Sequence, residues 1–451
     1  MASKKFNQLL STGDSNFIEV IRHSFLAIIL LGVGTIIQFV FDLSLTHKFK
    51  AHGSGIFYLC FSVLSVLALV GRLGMDRAVV RFIPPLLVKD PALAAGVNST
   101  ATRLSLLLTL PLTVLLFVFS PVVASHIFHS SEISPYLRIF SLAIPPLALN
   151  YVYSGVLRAL KRTQEALSIE RLTMYALGII AVIALGSLYG LRGASAGFVA
   201  AVYVSTVEGL WYIRKYMPSH TKITPFNKKR LLTVSGPLLF VVFAAQMGGQ
   251  ASVLLLGVLS TSSNVGIFNI ALRVSMLLNL ILMAVNVIAA TKVSELYFSG
   301  RRQELRTMIA KVSALSTLAG IPTFLILVIF SSFWLGLFGG SFTTGSSALI
   351  ILAAGQLVNV STGSNNFILA MTDHEKALAA TVGISLLINV CLGVILIGPF
   401  DVVGAGIATA VSMVFSNLVM LILVKRYIGV WSLPFRYLDI WLRSLVNSRL
   451  R

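Results

Sequence analysis

Three charged residues lie inside long apolar stretches of this 451-residue chain: Asp42, Glu208 and Arg273. A charged side chain at the centre of a membrane helix costs roughly 2.5–3.5 kcal/mol on insertion scales, so such residues are candidates for function. A guanidinium binds phosphate oxygens in a bidentate manner, which makes Arg273 a candidate anion site. The two acids are candidates for carrying a coupling proton or sodium ion. The alternative is an ion pair of the arginine with one of the acids, which would join two helices.

Side-chain amides lie near these charges at helical spacing. Asn269 is one turn before the arginine, and Gln38 is one turn before the aspartate. Gln246 and Gln250 are one turn apart on another apolar stretch. Amides suit sugar hydroxyls, so we expect these four residues to contact substrate, although polar stripes also serve plain helix packing. Arg22 is either a first contact for an anion or a side chain that reaches to the membrane interface.

Twelve apolar stretches carry these residues and nearly fill the chain. The protein is 57% hydrophobic and 11% charged, with a mean hydropathy of +0.91. A helix needs roughly 20 residues to cross a hydrocarbon core of about 30 Å. The sequence therefore predicts an all-α polytopic membrane protein with twelve transmembrane helices, the first of them uncleaved. The predicted spans are 24–45, 55–72, 104–127, 136–158, 172–190, 193–213, 231–257, 264–291, 308–337, 346–371, 377–398 and 402–425.

The basic residues predict the orientation of these spans. Of the 35 lysines and arginines, Arg273 lies deep within a span and thirty lie in the loops, termini and adjoining span ends of one side. The loops and span ends of the other side carry Lys48, Lys50, Arg138 and Arg192. An excess of basic residues marks the cytoplasmic side, so both termini are expected to be cytoplasmic in a plasma, or bacterial inner, membrane. The net charge of +20 is explained by topology and by contact with anionic lipid, so no nucleic-acid partner is expected.

The connections between spans argue against an enzyme. The outer loops are too short to fold into a catalytic domain, and the longest inner connection, 73–103, is too short for a nucleotide-binding fold. The chain has no GxxxxGK[ST] loop, no HExxH and no Cys-x-x-Cys, so we expect no ATP hydrolysis, no metal and no cofactor.

The chain contains two copies of one unit, offset by 211 residues. Gly55-Ile56-Phe57 recurs as Gly266-Ile267-Phe268, and Gly193-Ala194 recurs as Gly404-Ala405. Six spans separate equivalent points, and six is even, so the two copies share one orientation in the membrane. The predicted architecture is therefore two six-helix bundles related by a pseudo-twofold axis along the membrane normal. Two such bundles enclose a central cavity, and rocking exposes it to alternate sides, which favours a transporter over a channel.

This repeat also divides the chain into domains. The N-terminal six-helix lobe is predicted at 1–213 and the C-terminal lobe at 231–426. A cytoplasmic linker, 214–230, joins them, and a basic amphipathic tail, 427–451, is expected to lie on the inner membrane surface.

A conspicuous motif follows the second predicted span. Residues 74–82 are GMDRAVVRF, which resembles the "GLDRALVRF" stretch of polysaccharide-biosynthesis membrane proteins. Those are the O-antigen and lipid-linked oligosaccharide flippases of the multidrug/oligosaccharidyl-lipid/polysaccharide exporter superfamily. The resemblance extends over 24–426 and includes the start of the sixth span and the repeat. It departs from the lipid II flippases of the superfamily, which carry two further C-terminal spans.

The resemblance implies a two-lobed bundle whose cavity is lined by spans 1, 2, 7 and 8. Related flippases hold the pyrophosphate of a polyprenyl-linked sugar with basic residues in that cavity, and Arg22 and Arg273 occupy comparable places. Asp76, Arg77 and Arg81 match the cytoplasmic motif. The alternative for the two motif arginines is a scaffold in an inner loop, placed there by the charge bias.

The implied function is a flippase that moves a polyprenyl-(pyro)phosphate-linked oligosaccharide to the outer leaflet for cell-surface polysaccharide, such as lipopolysaccharide. The alternative within the superfamily is a cation-coupled multidrug exporter, for which Asp42 is an available coupling acid and Arg273 a repulsive charge. A glycan polymerase or ligase would need a sizeable outer loop. The expected partners are the lipid-linked oligosaccharide, membrane lipid and a glycan polymerase, and the protein is expected to be a monomer.

Overall fold

The computed structural model describes residues 15–217, 224–283, 296–297, 299, 301–372 and 374–432. It describes side chains from residue 29 onward within those ranges, except at 234, 237, 238, 241, 245, 367 and 371. The side chain of Arg22, part of the predicted linker and most of the predicted tail therefore lie outside the described residues. We call 15–217 the N-terminal half and 224–432 the C-terminal half.

Every regular element of the described chain is a helix. The N-terminal half comprises α1 Ser15–Gly71, α2 Met75–Lys89, α3 Pro91–Val122, α4 Ser134–Ser141, α5 Ile144–Ala159, α6 Thr163–Leu167 and α7 Thr173–Tyr216. The C-terminal half comprises α8 Lys228–Leu259, α9 Ser262–Ser275, α10 Arg302–Ile329, α11 Ser331–Gly336, α12 Ser346–Ser361, α13 Asn365–Met371 and α14 Glu375–Ile428. Single turns of π-helix and 3₁₀-helix extend or join these elements at Val123–Ile127, Ser131–Ile133, Ser168–Leu172 and Gly340–Gly345.

Within the described residues, seven helical segments are long and apolar enough to cross a membrane, or eight if a bent pair counts as one span. Three helices far exceed the roughly 20 residues that a bilayer requires: α1 has 57 residues, α7 has 44 and α14 has 54. Each is interrupted by a residue with positive φ: Lys50 at 54°, Gly190 at 62° and Asp401 at 44°. Each break divides its helix into two segments of membrane-spanning length. The breaks at Gly190 and Asp401 are separated by the repeat offset of 211 residues.

The two halves meet through glycines of the repeated Gly-Ile-Phe sequence. A Cβ atom on Gly55 would lie 1.7 Å from the carbonyl oxygen of Ser262, and one on Gly266 would lie 2.4 Å from that of Ala51. Ala51 and Ser262 are themselves 211 residues apart, so the contact is reciprocal. Reciprocal contacts of equivalent residues are the mark of a twofold relation. Only glycine allows the backbones of α1 and α9 to approach this closely.

The ends of the helices define two ends of the bundle. At one end lie Gly71, Tyr216, Lys228 and Ile428, next to the basic connections of the sequence, and we call it the basic end. Lys50, Gly190 and Asp401 lie at the other end, which we call the opposite end. These positions follow from the direction in which each helix runs.

The connection predicted at 73–103 is itself helical. It contains α2 and the first turns of α3, whose N-terminus is capped by the Asp90 side chain accepting from the Leu93 amide at 3.0 Å. The buried face of α2 consists of Met75, Ala78, Val79 and Ile83. The helix is therefore amphipathic, and its remaining residues are presented at the basic end.

Candidate functional site

A cavity of about 990 Å³ lies at the basic end, between α2 and helices of the C-terminal half. Its volume is at the upper limit of the roughly 300–1,000 Å³ typical of ligand sites. The wall is built mainly by α8, α9, α12, α13 and α14, with α2 opposite them. A bend within the predicted tenth span forms part of this wall, because Gly363, at φ 72°, interrupts the chain between α12 and α13.

Among the described residues, the cations and the amides of the cavity come from different halves. The described lining cations, Arg77 and Arg81, lie one turn apart on α2. The described lining amides belong to the C-terminal half: Gln246, Asn279, Gln356, Asn359, Asn366 and Asn417. Hydroxyls of α14, at Ser385, Thr409, Ser412 and Ser416, extend that wall, and the acid among the described lining residues is Glu375. The cavity thus presents cations on one side and neutral hydrogen-bonding groups on the other.

The motif at 74–82 positions the two cations. Gly74 has φ 68°, and a Cβ there would lie 2.7 Å from the carbonyl oxygen of Ser235 in α8, so the chain turns into α2 against the C-terminal half. Asp76 lies 3.6 Å from the Arg72 Nε atom and 3.9 Å from that of Arg77. Arg77 itself remains 65% exposed at the side chain, so its guanidinium is available to a ligand.

Phe82, the last residue of the motif, contacts the segment that leads into α8. Its ring lies 5.2 Å from that of Phe226, which is buried. The Arg230 guanidinium lies 5.8 Å from the Phe82 ring and 5.9 Å from the Phe226 ring. The far end of the linker is thereby packed against α2, so the motif contacts the C-terminal half at both of its ends.

Arg72 is a site residue that the sequence analysis missed. It is 3% exposed, and it donates through Nη2 to Oε1 of the cavity residue Gln246 at 3.1 Å. Its guanidinium also lies 4.3 Å from the ring centre of Tyr151, while its Nε has no hydrogen-bond partner. The available signal was its position two residues before the motif, at the last residue of the predicted second span.

Arg273 forms an ion pair that joins the halves. Its Nη1 lies 2.6 Å from Oδ2 of Asp42 in α1, and its Nε donates to Oδ1 of Asn269 at 2.8 Å. Tyr58 donates to the other carboxylate oxygen at 2.9 Å, and its ring lies 5.0 Å from the guanidinium. Asp42 is 2% exposed. This is the structural alternative for the charges, with Asp42 rather than Glu208 as the partner.

The cavity stops short of this ion pair. It reaches Leu272, which precedes Arg273 in sequence, and Met276, which lies one turn after it. Neither Arg273 nor Asn269 lines the cavity. The expectation that both line the cavity with Gln246 therefore does not describe this conformation, because the carboxylate in α1 draws the guanidinium away. A role in binding substrate would require the pair to open.

The remaining predicted residues are spread through the bundle. Glu208 accepts from the Ser168 hydroxyl at 2.9 Å within the N-terminal half. Gln38 is half-buried, and Oε1 of Gln250 is buried without a hydrogen-bond partner. Of the four predicted substrate amides, only Gln246 lines the cavity. Among the described residues, no group of three or more His, Cys, Asp or Glu side chains could hold a metal ion.

Contacts between the halves close the opposite end. His47 Nε2 lies 2.7 Å from the carbonyl oxygen of Leu337, and the rings of Phe39 and Phe338 meet edge to face at 5.0 Å. A smaller space of about 370 Å³ remains beside Lys50, with few polar atoms around it. These contacts join the halves at the opposite end, whereas the large cavity lies between them at the basic end.

A family model described as polysaccharide biosynthesis protein matches residues 21–293, which is more than half of the chain. The chain belongs to the polysaccharide biosynthesis protein family. This assignment confirms the resemblance seen in the motif and the repeat. A second model, MatE, matches residues 237–395 of this family member.

One curated relative and two solved structures show the breadth of the similarity. The chain is 26% identical over 417 residues to the "Probable low-salt glycan biosynthesis flippase Agl15" of Haloferax volcanii, covering 90% of this chain and 83% of the relative. It is similar to the lipid II flippase MurJ in an inward closed conformation, with TM-score 0.73 and 17% identity over 90% of this chain and 87% of that one. An inward-facing multidrug resistance MATE family transporter of the MOP superfamily gives TM-score 0.70 and 16% identity, over 89% and 98%. At such identities the two structures show a common fold.

Proposed function

We propose that this protein is a flippase that moves a polyprenyl-(pyro)phosphate-linked oligosaccharide from the cytoplasmic to the outer leaflet by alternating access. The observation that carries the proposal is the divided cavity, with Arg77 and Arg81 facing a wall of amides and hydroxyls. Membership of the family and similarity to a glycan biosynthesis flippase support it. As a transporter it would catalyse no covalent chemistry.

The proposed architecture is twelve spans in two six-helix bundles, 1–213 and 231–426. Counting each interrupted helix as two spans raises the eight candidate segments to eleven, and the 32-residue α8 makes twelve. The reciprocal contact of Gly55 and Gly266 supports a pseudo-twofold axis between the bundles. The charge bias of the loops supports a plasma-membrane location with the basic end and both termini in the cytoplasm.

The divided cavity gives the bound head group one orientation. Phosphate oxygens accept charge-assisted hydrogen bonds from guanidinium groups, so the (pyro)phosphate lies against Arg77 and Arg81. Sugar hydroxyls exchange neutral hydrogen bonds, so the saccharide lies against the amides of α8 and α12, including Gln246 and Gln356. The apolar tail stays in the lipid, because transferring it into a polar cavity would be unfavourable.

Transport requires the open and closed ends to exchange. The conformation described here receives a head group from the cytoplasm, and outward release requires separation of Asp42 from Arg273 and of α1 from α9. An inside-negative potential favours the outward movement of an uncompensated negative charge by roughly 2.3 kcal/mol per 100 mV. Asp42, once separated from its partner, is a candidate carrier of a coupling cation.

Reconstitution into liposomes tests the proposal. The purified full chain is expected to move a fluorescent polyprenyl-diphosphate oligosaccharide between leaflets, measured by lectin or dithionite accessibility. Arg77→Gln is expected to slow this movement by roughly 10- to 100-fold, the value of one charge-assisted hydrogen bond of about 1.5–3 kcal/mol. Lys89→Gln is the matched control, because it removes one charge from the exposed end of the same helix, outside the cavity. Wild-type flipping by the double variant Arg77→Gln/Arg81→Gln would contradict the proposal.

A multidrug exporter is the second candidate, favoured by the MatE match and the fold shared with a multidrug transporter. It predicts energy-dependent efflux of cationic dyes from cells that produce the protein. The two cavity arginines outnumber the single lining acid, Glu375, so we expect cationic dyes to be repelled. Dye efflux without any flipping in liposomes would favour this candidate over the flippase.

A further inference from the structure

A second concentration of charge lies at the basic end, away from the cavity. The turn between α5 and α6 brings Arg162 to the end of α7, where its guanidinium lies 4.2 Å from the ring centre of Tyr216. The Lys215 ammonium lies 5.3 Å from the same ring and 5.0 Å from that of Trp211. We call these four residues the basic–aromatic patch.

Two cations share one aromatic ring in this patch, although like charges repel each other. Within the described part of the chain, neither Arg162 nor Lys215 forms an ion pair with a carboxylate. Exposed Lys161 and Arg214 lie beside them in sequence and add to the positive charge. The patch therefore holds positive charge that the protein itself leaves uncompensated.

Two of the nearby acids have other partners. Glu170 pairs with Arg158 at 2.5 Å, and Glu208 accepts from the hydroxyl of Ser168. Glu165, half-buried on α6, is the remaining acid of this region and forms no ion pair within the described residues. An external anion is thus the available counter-charge.

The internal repeat shows that the fold does not require this patch. At the offset of 211 residues, Arg162 corresponds to Asp373 and Trp211 corresponds to Ile422. The end of α14 keeps two basic residues, Lys425 and Arg426, where α7 has Arg214 and Lys215. The C-terminal half is built on the same plan with different contacts at this place, since the Lys425 ammonium lies 5.7 Å from the Trp431 ring and the His374 ring stacks on that of Tyr427. The fold therefore does not require Arg162 and Trp211 themselves for packing.

The position of the patch suits a membrane surface. One face of α7 exposes Val204, Val207 and Trp211, which are 50%, 64% and 55% exposed, at helical spacing. Lys215 continues the same face one turn further. An apolar stripe that ends in tryptophan, tyrosine and basic residues marks the level where hydrocarbon meets head groups.

We propose that the basic–aromatic patch binds the phosphate of an anionic membrane lipid. The two cations bind the phosphate oxygens, and the indole and phenol rings lie at the glycerol and upper acyl region. The lipid is a resident of the inner leaflet and differs from the transported molecule, since the patch is outside the cavity. The site holds α6 to the end of α7 through a shared ligand.

Native mass spectrometry of the purified full chain tests this site. The wild type is expected to retain phosphatidylglycerol in preference to phosphatidylcholine of the same acyl chains. Arg162→Gln/Lys215→Gln should weaken retention by about 30-fold, at roughly fivefold for each basic residue near a membrane surface. The matched control, Lys425→Gln/Arg426→Gln, removes the same charge from the equivalent end of α14 and should retain the lipid within about twofold of wild type.

Several outcomes would overturn the proposal. One is equal retention of the two lipids, and another is equal loss in the patch variant and its control. If the protein retained inorganic phosphate alone as strongly as it retains phosphatidylglycerol, the site would not need a lipid. If the double variant fails to purify, Lys215→Gln decides, with a loss of about fivefold expected and unchanged retention contradicting the site.

Discussion

The two ends of the bundle join the halves in different ways. At the opposite end the contact is close: the backbones meet at Gly55 and Gly266, and buried Asp42 pairs with the partly buried Arg273. At the basic end the halves meet at Gly74 and Phe82 and then separate around a large cavity that contains arginines, amides and hydroxyls. One end is arranged to exclude water and the other to admit a solvated ligand.

The difference shows why an ion pair suits a contact that must open. Removing two charges from water costs several kcal/mol per ion, so a buried pair adds little net stability compared with apolar residues of the same shape. When the halves separate, water enters and hydrates both groups, which offsets the lost attraction. A wrong arrangement of α1 and α9 would therefore leave buried charges unpaired, at a high cost in free energy. Separation of the two helices costs little, because water hydrates both charges.

The largest expected effect comes from removing one partner of the pair. Asp42→Ala leaves the guanidinium of Arg273 buried without a counter-charge and should lower the free energy of unfolding by about 3–5 kcal/mol. Asp42→Leu/Arg273→Met removes both charges and should return stability to within about 1 kcal/mol of wild type. Thermal unfolding in detergent measures both. A double variant as unstable as the single one would show that the two residues stabilise the protein by more than neutralising each other's buried charge.

The backbone contact gives the next effect. Gly55→Ala places a Cβ against the carbonyl oxygen of Ser262. It should destabilise the contact between the halves at the opposite end by about 1–3 kcal/mol. Cys60, fully buried one turn away, should then react with a maleimide roughly tenfold faster or more. The exposed thiol of Cys391 is first removed as Cys391→Ser.

Gly398→Ala is the control for that experiment, because a Cβ at Gly398 has no neighbour within 4 Å. Its thiol reactivity should equal that of wild type. Equal acceleration by both substitutions would mean that helix propensity, and not the contact between the halves, limits access to Cys60.

A smaller effect is expected at the basic end. Arg72→Gln removes the donor to Gln246 and the cation beside Asp76. It should raise the apparent KM for flipping by roughly tenfold, the lower end of the about 1.5–3 kcal/mol that a hydrogen bond to a charged group contributes. Arg103→Gln, an exposed arginine of α3 outside the cavity, is the control. An unchanged KM, with only kcat reduced, would place Arg72 in the motion of the halves and not in the shape of the cavity.

The smallest effect is expected where the linker meets α2. Phe82→Ala removes a ring pair with Phe226 that contributes about 0.5–1.5 kcal/mol beyond its buried area. We expect a lower unfolding temperature and faster proteolysis of the linker, measured by limited trypsin digestion. Phe400→Ala, at a 55% exposed position of the opposite end, should leave the linker as resistant as in wild type.

Hydropathy predicted where the helices lie along the chain, but not the residues at which they begin and end. The third span was expected from 104, but its helix begins at Pro91, because Asp90 caps a polar first segment that a hydropathy window does not detect. The break at Gly190 falls on the last residue of a predicted span and the break at Asp401 falls between two spans, since short connections must reverse the chain there.

The site was harder to predict than the helices. The cost of burying Arg273 is the same whether its partner is a substrate phosphate or the carboxylate of Asp42, so its sequence position left both alternatives open. Gln246 and Gln250 lie one turn apart on α8 and look equivalent in the sequence. Of the two, only Gln246, which is nearer the basic end, lines the cavity. Which residues of two distant helices meet depends on how the halves pack, and no local pattern encodes that.

The partition of the cavity has a consequence for a duplicated protein. Two identical copies around a twofold axis would offer a head group two equivalent orientations. In one of them, the attached tail would point away from the opening through which the substrate had entered from the membrane. Because the arginines belong to one copy and the amides to the other, that degeneracy is removed. Under the proposed function, divergence of the copies thus converts a symmetric vestibule into one that distinguishes the head of the substrate from its tail.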